Sequence, residues 1–377
     1  MKSRICDMLG IEFPLLAFSH CRDVVVAVSK AGGMGVFGAV SLSPEKLKEE
    51  LNWIDDHVDG MPYGIDLIVP NKFEGKGKEI SSDQILNAIP QGHRDFAKGI
   101  LADYNIDVDG LDDISEGAKQ FRKSLSDEGA ATSLEVAFEH PIKLVANALG
   151  VPPKVMLDMG KKHNVAVAAL VGAKEHAIKQ VEAGVDILIA SGGEAGGHCG
   201  DVSTMVLIPE VYKAIQEIKD VPILAAGGIT TGSQMAAAMS MGASGAWCGS
   251  VWLTTSEAET NPVVKEKMLA ASSRDTVRSK SRTGKNSRQL RSPWTDAWEN
   301  KGPEPLPMPL QSLVSEPALK KIDKLSQGGH EGAKELATYW VGQGVGLMNQ
   351  SMSSGAVVQE FKEEFAEAYE RLANYLS

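Results

Sequence analysis

Several things are scarce in this sequence, and each scarcity removes a class of function. Only four of its 377 residues are cysteine (Cys6, Cys21, Cys199 and Cys248), and no two of them form a CxxC pair. That excludes a disulfide framework or a thiol zinc site and suits reduced thiols acting as small buried hydrophobes. Positive charge is also in deficit, with 38 Lys and Arg against 49 Asp and Glu and a net charge of -11. Phosphate backbones and anionic membranes are bound through clustered cations, so neither nucleic acid nor a membrane surface is an expected partner. No apolar run reaches membrane-spanning length, and Lys2 and Arg4 are followed by Cys6, Asp7 and Glu12, not by a signal-peptide core. No cluster of His or carboxylate residues has metal-ligand spacing. The expectation is a cytoplasmic protein, monomer or homodimer, that acts on small molecules without a metal.

A hydrophobic fraction of 43% is enough for a large core. It is concentrated in eight short runs: Phe13 to Phe18, Gly35 to Ala39, Tyr63 to Val69, Ile142 to Leu149, Val165 to Val171, Val185 to Ala190, Val221 to Ala226 and Gly245 to Val251. Each is followed by a glycine or polar turn and then a segment of helical spacing. Continuous apolar runs suit parallel strands buried on both faces, and eight of them alternating with helices predict a closed (β/α)8 barrel, an α/β fold. The expected layout is a barrel over residues 1–260 with an insertion at about 71–132 after strand three, containing helix-like pieces such as Glu116 to Leu125. Residues 261–377 then form a mainly helical extension that packs on the barrel mouth. Within it Trp294, Trp298, Arg282, Arg288 and Arg291 are expected to fold a loop over that mouth, and Val357 to Leu376 to form a partly exposed terminal helix.

The working face of such a barrel is the C-terminal rim of its strands, and that is where the glycines gather. After run six comes Ser191-Gly192-Gly193-Glu194-Ala195-Gly196-Gly197-His198-Cys199-Gly200, after run seven Ala225-Ala226-Gly227-Gly228-Ile229, and within run eight Trp247-Cys248-Gly249-Ser250. Glycine turns after adjacent strands, close to a helix N-terminus, expose backbone N–H groups that favour an anion, so the ligand should carry a phosphate. His198, flanked by glycines at the rim, has little packing duty and is the candidate catalytic residue; His20, just after run one, is a second candidate. Packing roles suffice for Cys199 and Cys248.

Taken together, these motifs resemble the nitronate monooxygenase (2-nitropropane dioxygenase) family of FMN-dependent barrel flavoproteins, which carries E-A-G-G-H-x-G after strand six, A-A-G-G-I after strand seven and a G-T or G-S pair ending strand eight. The opening Leu9-Gly10-Ile11-Glu12-Phe13-Pro14 and Ala31-Gly32-Gly33-Met34-Gly35 are similar to the family's L-G-I-x-x-P and A-G-G-x-G segments. The resemblance implies that Ala17 and Phe18 meet the flavin at the end of strand one, that Gly192, Gly196, Gly197, Gly227 and Gly228 supply flavin-binding backbone, and that Trp247, Cys248, Gly249 and Ser250 complete the phosphate cradle. It places Asp66 and Ser191 where Asn and Gln are common. A carboxylate at Asp66 would oppose an anionic reduced flavin and lower its potential unless protonated or paired. Gly342-Gln343-Gly344-Val345-Gly346 resembles a late G-Q-x-x-G stretch, making Gln343 a possible substrate-side contact. The activity implied is oxidation of a nitronate or nitroalkane with O2 to a carbonyl compound and nitrite, with His198 removing the α-proton or holding the anion. Two rival readings are an NAD(P)H-dependent flavin reductase of enoyl thioesters or quinones, and a phosphate-binding barrel without redox chemistry.

Overall fold

A computed structural model describes residues 1, 3–40, 42–69, 88–111 and 127–375. Eight parallel strands close into a barrel: β1 (Leu15–Ser19), β2 (Met34–Gly38), β3 (Tyr63–Leu67), β4 (Leu144–Asn147), β5 (Ala166–Val171), β6 (Ile187–Ser191), β8 (Ile223–Ala226) and β9 (Gly245–Cys248), with β1 paired to β9. All eight apolar runs therefore became barrel strands. The helix-like segment Glu116 to Leu125 lies outside the described residues.

Strand alternation sorts the side chains. At the N-terminal end the interior holds branched and bulky residues, among them Leu16, Met34, Leu144, Ile187 and Leu224. Helix α1 (Arg4–Leu9) closes this end by adding Ile5, Cys6 and Leu9 to the same cluster. Toward the C-terminal rim the inward positions become small: Gly38 on β2, Ala146 on β4, Ser191 on β6 and Ala226 on β8. The interior is thus filled by bulky residues below and lined by small ones on these four strands above.

The helices pack tightly on the outside, and glycine sets the distance at one contact in particular. Helix α2 (Arg22–Lys30) lies so close to β2 that a Cβ on Gly35 would sit 2.2 Å from the Val25 carbonyl oxygen. Outside the barrel too, α3 (Pro44–His57) packs against α5 (Asp127–Phe138), which leads into β4.

Helix α4 (Gln91–Asp103), from the insertion, joins the C-terminal segment. Phe96 meets the edge of Trp298 at 4.9 Å, His93 Nε2 lies 2.9 Å from the Glu304 carbonyl, and Lys321 pairs with Asp107 at 2.9 Å. Among the described residues of the insertion, α4 and the stretch after it thus pack against the C-terminal segment.

The C-terminal extension is mainly helical and includes one hairpin, β10 (Thr276–Ser279) and β11 (Ser287–Leu290), whose second strand pairs with β7 (Gly197–His198). It differs from expectation in its last helix, α14 (Ser354–Ala373), which does not lie on the mouth but runs along the flank against α2 and α9 (Gly232–Ser240). There the Glu364 carboxylate accepts the Gly232 N–H at 2.7 Å, and a Cβ on Gly232 would sit 2.0 Å from the Phe361 carbonyl oxygen. Neither strand of this basic, polar hairpin has an apolar face of its own, so the sequence carries no strand pattern there.

Gly35→Ala is expected to cost about 2–3 kcal/mol of stability through overpacking of α2 on β2. Urea unfolding measures it, and a loss below about 0.5 kcal/mol would show that the helix shifts freely.

Candidate active site

The rim above the small interior residues is built from four turns. Gly227 and Gly228, just after β8, adopt φ of 99° and 73°, a region that L side chains rarely enter. They are held from below by Thr204, whose hydroxyl lies 2.8 Å from the Gly227 carbonyl, and by Gln234, whose Nε2 donates to the Gly228 carbonyl at 2.9 Å. Thr204 opens helix α8 (Thr204–Gln216), and Glu194 holds that helix end, accepting the Thr204 N–H at 2.8 Å with the Thr204 hydroxyl at 2.9 Å. A carboxylate at a helix N-terminus satisfies otherwise orphaned donors and complements the dipole. Glu194 therefore anchors the loop that carries Gly196, Gly197 and His198. Gly192 completes this node, since a Cβ there would collide with Thr204 at 2.2 Å.

The helix N-terminus expected to serve an anion requires a correction. That of α9 is already occupied, by the Thr231 side chain accepting from Gln234 N and by Glu364 accepting from Gly232 N. The helical turn that faces the rim is instead a short 3-10 segment, Ser250–Thr254, following Gly249. Backbone N–H groups of Gly227, Gly228, Gly249 and Ser250 donate to no acceptor among the described residues. A Cβ on Gly249 would meet only Phe18, at 3.7 Å. Free donors beside an open glycine fit the phosphate of a nucleotide-like ligand.

Inside the rim, Phe18 and Trp247 stack with ring centroids 6.1 Å apart, an aromatic surface suited to a flat ring system. Ala17 and Cys248 are buried with their side chains in the outer shell, so only their backbone can face a ligand. Burial raises the Cys248 thiol's pKa strongly, so it stays protonated. Cys21 is likewise a packing group. It forms a tight set with Asp23 and Glu259, yet its thiol donates to the Glu257 carbonyl and burial raises its pKa. His20 stands exposed at the rim with Nδ1 2.7 Å from the Gly38 carbonyl and its ring edge-on to Phe18.

Asp66 lies inside the barrel near the rim, fully buried, and its Oδ1 has no hydrogen-bond partner among the described residues. Burial pushes its carboxyl up to about 8. The expected carboxylate is thus a neutral acid at neutral pH, because nothing on the neighbouring strands compensates a buried charge.

His198 is presented by β7, opposite Ser287 on β11. Its Nε2 lies 2.8 Å from Thr283 Oγ1, and that hydroxyl is 3.3 Å from the Lys285 carbonyl. An Nε2–H donating to Thr283 Oγ1, with the hydroxyl proton passed on to that carbonyl, would leave Nδ1 as the basic atom. The residue keeps solvent access, but partial burial, followed by Lys285 and Arg282, lowers its pKa below the ordinary histidine value. Thr283 and Lys285 were not visible as site residues in the sequence, since 85 positions separate His198 from Thr283. Gln343 reaches the same loop, its N–H donating to the Glu194 carbonyl at 2.9 Å, and Ser250 Oγ accepts the Gly342 N–H at 2.9 Å. Gly196 is pressed against this segment, its Cβ position 2.8 Å from Gly342 N.

The cationic lid does not form as expected. Arg282 is buried, paired with Glu316 at 2.8 Å and stacked 3.8 Å from the Trp340 ring. Arg288 donates to the Gly193 carbonyl at 2.9 Å, Arg291 pairs with Asp296, and Trp294 and Trp298 are core residues. Of the expected set, Arg282 and Arg288 brace the site and the others pack away from it.

A parallel barrel whose rim combines glycine turns, free N–H groups, an aromatic floor and a histidine on a braced strand defines a flavin-dependent oxidoreductase. The model of the nitronate monooxygenase family matches residues 2–364, and the chain belongs to that family, among the flavin-dependent monooxygenases. A Mycobacterium tuberculosis protein named as a monooxygenase is 49% identical over 375 residues, covering 99% of this chain and 98% of that one. A Staphylococcus saprophyticus protein named as a nitronate monooxygenase is 25% identical over 387 residues, covering 98% and 99%. Among solved structures, nitroalkane oxidase from Streptomyces ansochromogenes shares the fold with a TM-score of 0.78 at 22% identity over 98% of this chain and 99% of that one. FabK from Thermotoga maritima superposes with a TM-score of 0.70 at 25% identity over 100% and 99%. No described helix is long and apolar enough to cross a membrane.

Thr283→Val should leave Nε2–H without its acceptor and lower kcat/KM about tenfold, the equivalent of one hydrogen bond, with Thr283→Ser restoring most of it. Nitrogen NMR of the His198 ring should show mixed tautomers in the valine variant; unchanged kinetics and tautomer would remove Thr283 as a positioning residue.

Proposed function

We propose that the protein binds FMN at the barrel rim and oxidises alkyl nitronates, and the nitroalkanes that give rise to them, with O2, releasing a carbonyl compound and nitrite. The observation that carries this reading is the setting of His198: a neutral imidazole, its Nε2 held by Thr283, projecting from a strand next to the glycine turns. When bound, FMN supplies the electron acceptor and the subsequent reaction with O2. The protein's part is to place and deprotonate. The N–H groups of Gly227, Gly228, Gly249 and Ser250 would hold the phosphate, Phe18 and Trp247 would pack on the ring system, and backbone at Ala17, Gly192, Gly196 and Gly197 would line it, with Ser191 and Asp66 at its inner edge. His198 Nδ1 would take the α-proton of a neutral nitroalkane, a task that suits an imidazole whose pKa lies below neutrality. Lys285, exposed and close enough to His198 to lower its pKa, would favour the nitronate anion so formed. His20 and Gln343 would bound the substrate side.

The likeness to FabK, and to the enoyl reductase domain of MlnA from Bacillus amyloliquefaciens with a TM-score of 0.66, favours one second reading, an NAD(P)H-dependent reductase on the same rim.

Anaerobic mixing of the flavin-loaded protein with propyl-2-nitronate, 2-nitropropane, NADH or NADPH separates the two. Bleaching by the nitro compounds and not by the nicotinamides is the expected result. His198→Asn should slow bleaching by the neutral nitroalkane by about a hundredfold or more, the usual contribution of a general base, and slow bleaching by the nitronate much less. For the wild type, kcat/KM with the nitroalkane should rise with pH through a value below 6.5, as the imidazole loses its proton, and stay flat above pH 7. Bleaching by nicotinamides alone would assign the protein to the reductases.

A further inference from the structure

Asp66 is the only charged residue in the eight barrel strands. Its strand neighbours Gly38 and Ala146, paired with it in register, face the same interior and offer no polar side chain. Phe18 on β1 and Trp247 on β9 close the space from the other side of β2 and across the barrel, and β5, β6 and β8 contribute Ala168, Ile189 and Ala226. The titratable group beyond the rim, His20, has its Nδ1 turned to the Gly38 carbonyl. Oδ1 is therefore a buried polar atom with no protein partner among the described residues, at the level where the interior turns from bulky to small. An unsatisfied buried oxygen costs free energy unless a ligand completes its bonding.

We propose that Asp66 meets the flavin as a neutral carboxylic acid, donating its proton to an acceptor on the edge of the ring, so that ionisation of Asp66 weakens cofactor binding. This inference rests on the flavin reading of the rim. A carboxylate has no proton to donate, and it would repel the carbonyl oxygens and the unprotonated ring nitrogens of a flavin's edge. It would also be a buried charge without a counter-ion. Burial already holds the carboxyl neutral before any ligand arrives, with a pKa of about 8, so no ordering or pairing step is needed at neutral pH. Linkage fixes the sign: a ligand that binds only the protonated form stabilises that form and loses affinity as pH rises past the pKa of the free site. An asparagine here would donate a similar hydrogen bond with no dependence on pH.

The test is the Kd for FMN, followed by quenching of flavin fluorescence in full-length protein stripped of cofactor, at pH 7 and pH 9. For a carboxyl titrating at about 8, wild-type Kd should weaken about tenfold over that interval, while Asp66→Asn changes less than twofold. Titration of the FMN phosphate and ring is common to both proteins and cancels in the comparison. If the asparagine variant does not fold, infrared difference spectra of wild type decide the point. FMN binding at pH 7 should shift a protonated-carboxyl stretch, and the same band should disappear on raising the flavin-free protein to pH 9.5. A wild-type Kd as flat as that of Asp66→Asn, or no protonated-carboxyl band at pH 7, overturns the inference and leaves the flavin reading intact. Absence of FMN binding at any pH removes that reading and this inference together.

Discussion

The grip of the Glu194 carboxylate on the first turn of α8 is the contact on which the rest of the site depends. It ties the loop after β6 to Thr204, and Thr204 in turn supports the Gly227 carbonyl after β8. Two neighbouring strand ends are thereby fixed through one side chain and one helix end. The positive φ values at Gly227 and Gly228 persist because this node leaves the chain no other course. His198, four residues after Glu194, inherits that position.

The second constraint comes from far along the chain. The hairpin of β10 and β11 adds a strand edge to β7 and brings Thr283 to the imidazole, and its stiffness derives from Arg282. That guanidinium is sandwiched between Glu316 and Trp340, so the loop bearing Thr283 and Lys285 is pinned by a buried ion pair and a ring contact. A buried pair of this kind contributes more to geometry than to net stability, because desolvation offsets much of the attraction. Arg288 reaches back to the Gly193 carbonyl and links hairpin to glycine loop. The arginines expected to cover the mouth are thus partly consumed in bracing the base, while Lys285 in the same loop is exposed.

The barrel's interior divides the work between stability and binding. Branched residues and the α1 plug fill one end, while Gly38, Ala146, Ser191 and Ala226 keep the other shallow. Burial raises the Asp66 carboxyl, so the desolvation that disfavours charge in the interior also favours the neutral form of this residue.

The sequence alone determined the eight strands, since continuous β-branched runs punctuated by glycine have few other stable solutions than a parallel sheet buried on both faces. It also determined the rim glycines, because tight turns and close backbone approach require that residue, and it singled out His198 by its lack of a packing neighbour. Family motifs then carried the flavin and the reaction class. What it could not determine depends on contacts between distant segments. Thr283 is a common residue in a basic loop until β11 pairs with β7, the N-terminus of α9 is an anion site until Glu364 from the last helix fills it, and Trp294 and Trp298 are lid residues until α4 packs beside them. Local propensity is written in neighbouring residues, whereas hydrogen-bond partners, burial and the protonation state of Asp66 are set by which surfaces meet, and only the folded chain decides that.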